Sequence, residues 1–288
     1  MPEGDTVWRT ARRLHQALAG QVLTVSDLRF PGIATVDLRG ATTTDVLSRG
    51  KHILHRLDTG ATLHSHLRME GQWRLEPADT AARWLRRGDL RAALGTDAWL
   101  ALGLRLGMLD LLRTSHEADV VGHLGPDLLG PDWDAPRAVA NLQRTQTPIG
   151  AALLDQRNLA GLGTLWCAEC LFLERLNPWT FTFELDPGTL ERVVDRAHRL
   201  LDAARHHPVQ ASTGLRRHGE ETYVHARSGR PCRRCGQPVR VAMIGPEGQE
   251  RTMFYCPGCQ GGLGPGDDGR PQAPLGSSTG RRTPYRRV

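Results

Sequence analysis

The first residues of the chain contain a candidate nucleophile. The sequence begins Met1-Pro2-Glu3-Gly4-Asp5; Met1 precedes a small residue, so we expect it to be removed, which makes Pro2 the N-terminus. An α-amino group has an unperturbed pKa of about 7.7–8.0, so this secondary amine is partly neutral and nucleophilic at physiological pH. Glu3 supplies an acid within reach. Such a pair suits Schiff-base chemistry on a sugar carbon, although by itself this start more often only leads into a helix.

A helix must position this amine. Asp5 is the expected N-cap and Gly20 the expected end. Between them, apolar residues recur at helical spacing at Val7, Ala11, Leu14 and Leu18. The positive end of the helix disfavours the protonated amine and so lowers its pKa. The Glu3 carboxylate has the opposite effect, because a nearby negative charge raises the pKa of an amine.

Lys51 is the second candidate. The chain has 37 lysine and arginine residues, and Lys51 is the single lysine among them. Its ammonium is compact and can lose a proton, which a guanidinium cannot do. One lysine could also survive by chance in an arginine-rich chain. The bias favours a function for Lys51 that arginine could not fill.

Four cysteines form the motif with the most specific spacing. Two Cys-x2-Cys pairs flank an alternating segment at Pro238–Ile244, a Gly-Pro-Glu-Gly turn and a second strand at Arg251–Tyr255. Paired knuckles on a β-hairpin are typical of a structural zinc site with four thiolate ligands. Such a site has no open position, so one Zn²⁺ should hold the hairpin without taking part in the chemistry. The predicted ligands are Cys232, Cys235, Cys256 and Cys259. Cys167 and Cys170 fall within a predicted helix and should be core thiols.

Composition restricts the class of protein. A chain of 288 residues with a net charge of +6 and a pI near 9.4 should hold about two domains, and its charge favours a polyanionic partner. No segment approaches the roughly 20 apolar residues of a membrane span. The polar N-terminus does not fit a signal peptide. We therefore expect a monomeric, cytoplasmic protein without a membrane partner, in the bacterial cytosol and nucleoid.

The pattern along the chain indicates two structural regions and a tail. Strands and turns dominate residues 1–122, which predicts one helix followed by a β-sandwich. The segment from His64 to Gly71 ends a strand and enters a loop, where Met69 is either packed in the core or an exposed wedge, and composition alone favours packing. Helical patterns dominate after a turn-rich stretch at 123–136. The turn Gly161-Leu162-Gly163-Thr164 precedes a helix and could bind phosphate, although by itself it favours a helical hairpin. Residues 262–288 are basic and poor in apolar residues, which predicts a disordered tail.

These motifs together resemble one family. Pro2-Glu3-Gly4, Arg-Gly-Lys51-His, Leu-Leu-Asp-Gln-Arg-Asn-Leu-Ala-Gly-Leu-Gly before a helix, and Arg251-Thr-Met-Phe-Tyr-Cys-Pro-Gly-Cys-Gln occur in this order. The chain resembles the formamidopyrimidine-DNA glycosylase/endonuclease VIII family of base-excision repair enzymes, and Pro-Glu-Gly is closest to the endonuclease VIII branch. The resemblance covers residues 2–260.

The resemblance implies an α+β multidomain fold and its boundaries. The expected parts are an N-terminal helix and β-sandwich at 1–122, a hinge at 123–136, a helix–two-turn–helix domain at 137–224, a β-hairpin zinc finger at 225–261 and the tail at 262–288. DNA is expected to lie between the first two domains.

The resemblance also implies a mechanism. A damaged base is flipped out, Pro2 attacks the sugar C1′ and forms a Schiff base, and Glu3 shuttles the proton that opens the ring. β-Elimination and δ-elimination then cut the strand. Lys51 and Arg251 contact phosphates and assist elimination, and Met69 fills the space of the flipped nucleotide. Further DNA contacts are expected from His66, Arg68, His123 and Thr164.

The chain departs from the family pattern at three places. Asp5-Thr6 stands where the family has Pro-Glu, so a supporting carboxylate is displaced or missing. Thr164 replaces an asparagine that binds phosphate, and His123 stands where endonuclease VIII proteins carry an arginine. Each of the last two changes should weaken the hold on phosphate by about 1 kcal/mol. We expect low activity on ordinary substrates or a preference for single-stranded or bubble DNA.

The sequence thus predicts a bifunctional DNA glycosylase and DNA-(apurinic or apyrimidinic site) lyase that excises oxidised bases, with pyrimidines as the expected class. Oxidised purines are the alternative substrates for the same chemistry. A second alternative is a zinc-finger protein that binds damaged DNA with little or no catalysis.

Overall fold

The structure is a computed structural model that describes residues 2–272. The chain divides into two compact units. The first runs to Trp133 and also includes Leu159–Gly161, and the second contains Asp134–Asn158 and the described chain from Leu162 onward. Each unit is described by itself.

Helix α1 (Gly4–Leu18) opens the first unit. Its apolar stripe is buried, as the spacing predicts, at Val7, Ala11, Leu14 and Leu18. The N-cap is Glu3 and not Asp5, which corrects the predicted helix start by two residues. The helix begins earlier because the Glu3 carbonyl already accepts the Val7 N–H at 3.0 Å. Asp5 lies in the first turn, where a carboxylate still interacts favourably with the helix dipole.

Eight strands follow and form two antiparallel sheets. In chain order they are β1 (Val25–Leu28), β2 (Thr43–Arg49), β3 (His52–Leu57), β4 (Ala61–His66), β5 (Gln72–Pro77), β6 (Leu90–Gly95), β7 (Trp99–Leu104) and β8 (Met108–Arg113). One sheet has the order β1-β6-β7-β5 and the other β2-β3-β4-β8. Two short helices, α2 (Ala81–Trp84) and α3 (Glu117–Val121), lie between or after the strands. The predicted helix and β-sandwich are confirmed.

One core joins α1 to both sheets. Leu14 and Leu18 of α1 are in the same buried cluster as Ile53 of one sheet and Leu94 of the other. Strands β5 and β8 were not anticipated from the sequence. Their partners are far along the chain, since β5 pairs with β7 and β8 pairs with β4, so local alternation was a weak guide.

The second unit begins with four main helices. These are α4 (Ala135–Gln143), α5 (Ile149–Leu154), α6 (Thr164–Leu173) and α7 (Pro187–Ala204). The Asp134 and Asp186 side chains accept backbone N–H groups at the starts of α4 and α7. Helix α6 is buried on almost every side, and Cys167 and Cys170 are fully buried within it. The expectation that these two thiols belong to the core is confirmed.

The unit ends in a hairpin of β9 (Arg240–Ile244) and β10 (Arg251–Tyr255), as the sequence predicted. The chain after it differs from the expectation of a disordered tail from residue 262. Gly264–Gln272 contact the hairpin, because Asp267 pairs with Arg240 and Gln272 bonds to Val241. Residues 273–288 of the predicted tail lie outside the described residues. The predicted domain boundaries remain predictions. Within the described part of the chain, no helix is both long and apolar enough to cross a membrane.

Candidate active site and metal centre

Gly4 and Gly161 fix the start of the chain in the first unit. The Gly4 N–H donates to the Gly161 carbonyl at 2.9 Å. A Cβ on Gly4 would lie 2.9 Å from both Cα and O of Gly161, so no larger residue fits without backbone movement. Gly161 itself has φ 103°, a conformation that favours glycine. The glycine of Pro-Glu-Gly is therefore required by packing, and this packing fixes the backbone beside Pro2 and Glu3.

A buried carboxylate holds the turn that carries Lys51. Asp127 accepts the Gly50 N–H at 2.7 Å through Oδ2 and the Leu129 N–H at 3.0 Å through Oδ1. Gly50 has φ 57°, and a Cβ there would lie 3.1 Å from the Ala160 Cβ. Burial raises the pKa of Asp127, while its two backbone donors oppose that rise. Lys51 is half-buried and follows directly, between β2 and β3.

One short segment, Ala160-Gly161, binds both the turn around Asp127 and the start of the chain. Ala160 donates its N–H to the Pro126 carbonyl and accepts the Leu128 N–H, which forms a parallel bridge between Asp127 and Ala160. The Gly161 carbonyl accepts the Gly4 N–H. We call these residues, Gly4, Gly50, Asp127, Ala160 and Gly161, the N-terminal corner. The corner brings the segments of two predicted site regions together, Pro2-Glu3 and Lys51, from places about fifty residues apart in the chain.

The predicted acid beside the Pro2 amine, Glu3, is buried. Glu3 is 1% exposed, whereas Pro2 is half-buried. Asp5 is fully buried one turn into α1. A carboxyl group shielded from water exchanges protons only with its neighbours, which suits a proton shuttle beside an amine.

Three imidazoles lie on the strands that follow Lys51. His52 of β3 pairs in register with His66 of β4. His52 Nδ1 lies 2.8 Å from His64 Nε2, and the His52 and His66 rings meet edge to face at 4.9 Å. Burial lowers the pKa of His52 to about 3 and of His66 to about 4, with smaller contributions from neighbouring positive groups that include Lys51 for His66. The pKa of His64 is also lowered, mainly by burial. The cluster is therefore neutral at physiological pH, and the positive groups that act on it include Lys51 and Arg68.

The loop after β4 exposes Met69. The Arg68 N–H donates to His66 Nδ1 at 3.0 Å, and Arg68 has the left-handed φ of 56°. Met69 is 66% exposed, which excludes the core-packing alternative and agrees with a wedge. Its role towards DNA stays a prediction. Arg105, in the neighbouring turn, lies 3.6 Å from Glu70 and also has a positive φ of 48°.

Two other predicted DNA contacts are located separately. His123 is exposed in the first unit, and its charge contributes to the lowered pKa of His52. Thr164 is the first residue of α6 in the second unit and is 6% exposed, so little of it is accessible. The contacts predicted for both residues remain predictions.

The four predicted cysteine ligands form a cluster in the second unit. Their sulfur atoms all lie within 4.8 Å of one another. The Cys232–Cys259 and Cys235–Cys256 Sγ distances are 3.9 and 3.4 Å. A tetrahedral zinc with Zn–S bonds of about 2.3 Å needs sulfur separations of about 3.8 Å. The donors and spacing fit one metal ion held by four thiolates.

Arg251 lies on the hairpin that leads to this centre. It is the exposed first residue of β10 and pairs with Ile244, at the end of the hairpin opposite to Cys256. In the chain that precedes the cysteines, Tyr223, Val224 and His225 donate their backbone N–H groups to the buried Glu169 of α6 at 2.7–2.9 Å. Glu169 thus fixes the chain that enters the finger.

Sequence reasoning missed the residues that hold these groups. Asp127 was read only as part of a turn between domains, and Glu169 only as a helix residue. The Gly125-Pro126-Asp127 turn was a usable signal for the first, because a carboxylate in a turn can accept nearby N–H groups. A lone Glu in an apolar helix was the signal for the second, since buried charges need partners.

Comparisons with known proteins agree with this architecture. The formamidopyrimidine-DNA glycosylase N-terminal domain matches residues 1–108, and the H2TH domain of the same enzymes matches residues 124–214. The "Probable endonuclease 8 2" of Streptomyces coelicolor is 51% identical over 94% of this chain and 98% of its own length. The "DNA-(apurinic or apyrimidinic site) lyase Nei2" of Mycolicibacterium smegmatis is 42% identical over 90% and 99%.

Solved structures share the fold. The MutM (Fpg) protein of Thermus thermophilus superposes with a TM-score of 0.73 at 29% identity, over 91% of this chain and all of that one. The Lactococcus lactis enzyme, solved with DNA containing an abasic site, gives a TM-score of 0.76 at 23% identity over 90% and 100% of the two chains. From both domain matches and nearly full-length relatives, this chain belongs to the formamidopyrimidine-DNA glycosylase/endonuclease VIII family.

Proposed function

We propose that this protein is a bifunctional DNA glycosylase and abasic-site lyase of base-excision repair that acts on oxidised pyrimidines through a Schiff base on Pro2. The observation that carries the proposal is the N-terminal corner, in which Gly161 binds Gly4, and Asp127, which is bridged to Ala160, binds Gly50. It supports the amine, the buried acid and Lys51 from one rigid segment. Relatives that match nearly their whole length are named as endonuclease 8 proteins and as an abasic-site lyase.

The chemistry begins at the secondary amine. The Pro2 nitrogen forms a bond to C1′ of the sugar while the bond from C1′ to the base breaks, and the base leaves with a proton. Glu3 protonates the ring oxygen, the ring opens and an iminium remains on C1′. Loss of a C2′ proton then expels the 3′ phosphate, and a second elimination expels the 5′ phosphate. Water finally hydrolyses the iminium and releases Pro2.

Two cations are assigned to the phosphates. Lys51 follows a turn fixed by Asp127, and its ammonium balances the charge of a phosphate that leaves. Arg251 is exposed on the hairpin and can bind a phosphate through two parallel hydrogen bonds. We assign Zn²⁺ to the four cysteines, where it would hold the hairpin and so position Arg251. The metal supplies structure and no open coordination site.

The remaining contacts concern the flipped nucleotide. Met69 is exposed at the tip of its loop and would fill the space left in the helix. His66 holds the backbone of Arg68, which orients that loop. His123 and Thr164 are assigned weaker phosphate contacts. Because both are poorer ligands than the residues they replace, we propose a preference for single-stranded or bubble DNA, with the protein acting as a monomer in the bacterial cytosol.

Borohydride trapping tests the central claim. Protein shown by mass to lack Met1 and to hold one zinc ion is mixed with an oligonucleotide that carries an abasic site, reduced and digested. We expect the adduct on Pro2, and slower reactions with Pro2→Gly, which keeps an α-amino group but loses the secondary amine, and with Glu3→Gln. If the native protein gives no adduct but still binds the damaged DNA, the non-catalytic alternative is correct.

Substrate class needs a separate measurement. Glycosylase rates on duplex, bubble and single-stranded DNA that carries 5-hydroxyuracil or 8-oxoguanine would be compared under single turnover. We expect faster excision of the pyrimidine and binding to bubble DNA tighter than to duplex. Faster excision of the purine would assign the alternative substrate class, and equal binding to duplex and bubble would contradict the strand preference.

A further inference from the structure

The histidine cluster beside Lys51 contains two residues, His52 and His64, to which the proposed function gives no role. His52 Nδ1 and His64 Nε2 lie 2.8 Å apart, and the two rings stack with their centroids 5.0 Å apart. His66 lies on the same face of β4 as His64 and meets His52 edge to face. His52 therefore contacts both other rings and links the buried His64 to His66, the predicted DNA contact.

The His64 end of this chain of rings faces a carboxylate. His64 is 1% exposed, and its Nδ1 has no hydrogen-bond partner among the described residues. Asp110 of β8 pairs with His64 in register, and its Oδ2 lies 3.7 Å from that nitrogen. This distance is too long for a hydrogen bond, but the negative charge attracts an N–H and repels a lone pair. The neutral His64 ring therefore carries its proton on Nδ1, and its Nε2 accepts the His52 Nδ1–H.

The His66 end is fixed by the backbone. The Arg68 N–H donates to His66 Nδ1 at 3.0 Å, so that nitrogen is the acceptor of the ring. A neutral imidazole has one donor and one acceptor, which places the His66 proton on Nε2. The partners at the two ends thus assign one tautomer to each of the three rings.

The cluster stays neutral mainly because it is buried. Burial is the largest cause of the lowered pKa of all three rings. The charged or titratable groups that act on the rings from neighbouring segments are Lys51, Arg68, Asp110, Glu117 and His123. The carboxylates among them raise the pKa of His64, but less than burial lowers it. The three rings can therefore act as neutral donors and acceptors.

We call Asp110, His64 and His52 the histidine relay. We propose that the relay positions His66, so that the His66 Nε2–H donates to the phosphate that leaves beside Lys51. The inference rests on the proposed function, which assigns that phosphate to Lys51. A ring held in one orientation needs no reorganisation as negative charge develops on the leaving group. A neutral donor also adds no second positive charge that would repel the ammonium.

Time courses on an oligonucleotide with an abasic site test the relay. At saturating protein, quenching with borohydride measures the Schiff base, and quenching without it measures strand cleavage. His64→Leu removes the acceptor of the His52 N–H, whereas the side-chain oxygen of His64→Gln can replace it. A hydrogen bond to a charged group is worth at least about tenfold, so His64→Leu should slow cleavage by that factor while adduct formation changes less than about threefold. His64→Gln should restore cleavage to within about threefold of the native rate.

His55→Leu is the matched control. His55 is a buried histidine of β3 on the face opposite to His52, so its replacement measures the general cost of losing a buried imidazole. It should leave cleavage by the folded protein unchanged, although the free energy of unfolding falls. Thermal unfolding establishes that each variant is folded at the assay temperature. Equal slowing by His55→Leu and His64→Leu, or native cleavage by His64→Leu, would overturn the relay.

The tautomers provide an independent measurement. Long-range proton–nitrogen NMR spectra distinguish Nδ1–H from Nε2–H in each ring, with assignments from single His-to-Gln variants. We expect Nδ1–H at His52 and His64 and Nε2–H at His66 in the native protein. Asp110→Asn should shift part of His64 to Nε2–H and slow cleavage by less than about tenfold. The opposite tautomer at His52 in the native protein would overturn the relay, because its hydrogen bond would then run the other way.

The relay and the proposed function fail in different ways. Normal adduct formation together with unchanged cleavage in His64→Leu would refute the relay alone. No adduct with the native protein would refute the Pro2 chemistry, and the role of the relay in that chemistry with it.

Discussion

The N-terminal corner and the four-cysteine finger differ in the contacts that hold them together. Each holds a short segment with predicted site residues, Pro2-Glu3 in the first unit and Arg251 in the second. The corner uses backbone contacts between residues far apart in the chain, such as Gly4 with Gly161. The finger uses four side chains from two local motifs, whose sulfurs converge within 4.8 Å. A local metal motif is visible in a sequence, and backbone contacts at a distance are not.

Both regions also depend on one buried carboxylate. Asp127 fixes the turn before Lys51, and Glu169 fixes the chain that enters the finger. Burial raises the pKa of both, and in both the hydrogen-bond donors oppose the rise. The two regions therefore differ in their use of a metal and in how far apart in the chain their contacting residues lie. Both need a buried hydrogen-bond acceptor.

Metal removal should give the largest effect and separate the two regions. Cys235→Ser, or chelation of the native protein, should lower strand cleavage more than 100-fold, because the free energy of a structural zinc site is largely folding free energy. Hydrogen exchange measured by mass spectrometry should increase in β9 and β10 and stay unchanged in β3 and β4. Added zinc should restore the chelated native protein but not the variant. Equal loss of protection in β3 and β4 would show that the first unit also depends on the metal.

Gly4→Ala should disrupt the N-terminal corner and leave the finger intact. The new Cβ would overlap the Gly161 backbone at 2.9 Å, so the start of the chain must move. A displacement of about 1 Å can cost about 100-fold in rate, and we expect that loss in the rate of borohydride trapping with zinc content unchanged. Gly88→Ala is the matched control, since a Cβ there meets nothing within 4 Å. Equal trapping by the two variants would contradict the role of the corner.

Acid should destabilise the first unit through His55. Burial lowers the pKa of His55 to about 4, and its Nε2 lies 2.8 Å from the Thr43 hydroxyl. The unfolded chain binds this proton below pH 6.5, so the contribution of His55 to stability is complete above pH 6.5 and is lost as the pH falls towards 4. The loss should approach about 3 kcal/mol.

His55→Gln should flatten this part of the pH profile of the unfolding free energy. The exposed His218 of the second unit provides the control, and His218→Gln should leave the profile unchanged. A His55→Gln profile as steep as that of the native protein between pH 6.5 and 4 would assign the acid sensitivity to other groups.

The last prediction compares the two buried carboxylates. Asp127→Asn and Glu169→Gln keep shape but replace charge-assisted hydrogen bonds, each of which contributes about 1.5–3 kcal/mol. Asp127→Asn should slow trapping, whereas Glu169→Gln should increase hydrogen exchange at residues 223–225 and slow trapping by less than tenfold. Thermal unfolding measures the stability loss of each. If both substitutions slowed trapping equally, the effect of each carboxylate would not be confined to its own region.

The sequence predicted local features well and distant pairings poorly. The hairpin strand Arg251–Tyr255 was placed at its observed bounds, because knuckles and a turn mark both of its ends. Strands β5 and β8 were missed, since their stability comes from pairing with β7 and β4. The start of α1 was predicted at Asp5 because capping propensity ranks Asp above Glu, but the Glu3 carbonyl already accepts the Val7 N–H, so the helix begins earlier. The contacts of Gly264–Gln272 with the hairpin were not predicted, because this segment consists mostly of glycine, proline and polar residues.

The sequence alone determined which chemical groups are available. A proline at position 2, a single lysine and four cysteines in two pairs are facts of composition and spacing, and they define the chemistry that the sequence offers. Only the tertiary structure decided that Glu3 is buried, that Gly4 meets Gly161 and that Asp127 holds the turn of Lys51. The physical reason is that burial and backbone hydrogen bonds depend on which distant segments pack together, and no local pattern encodes that choice.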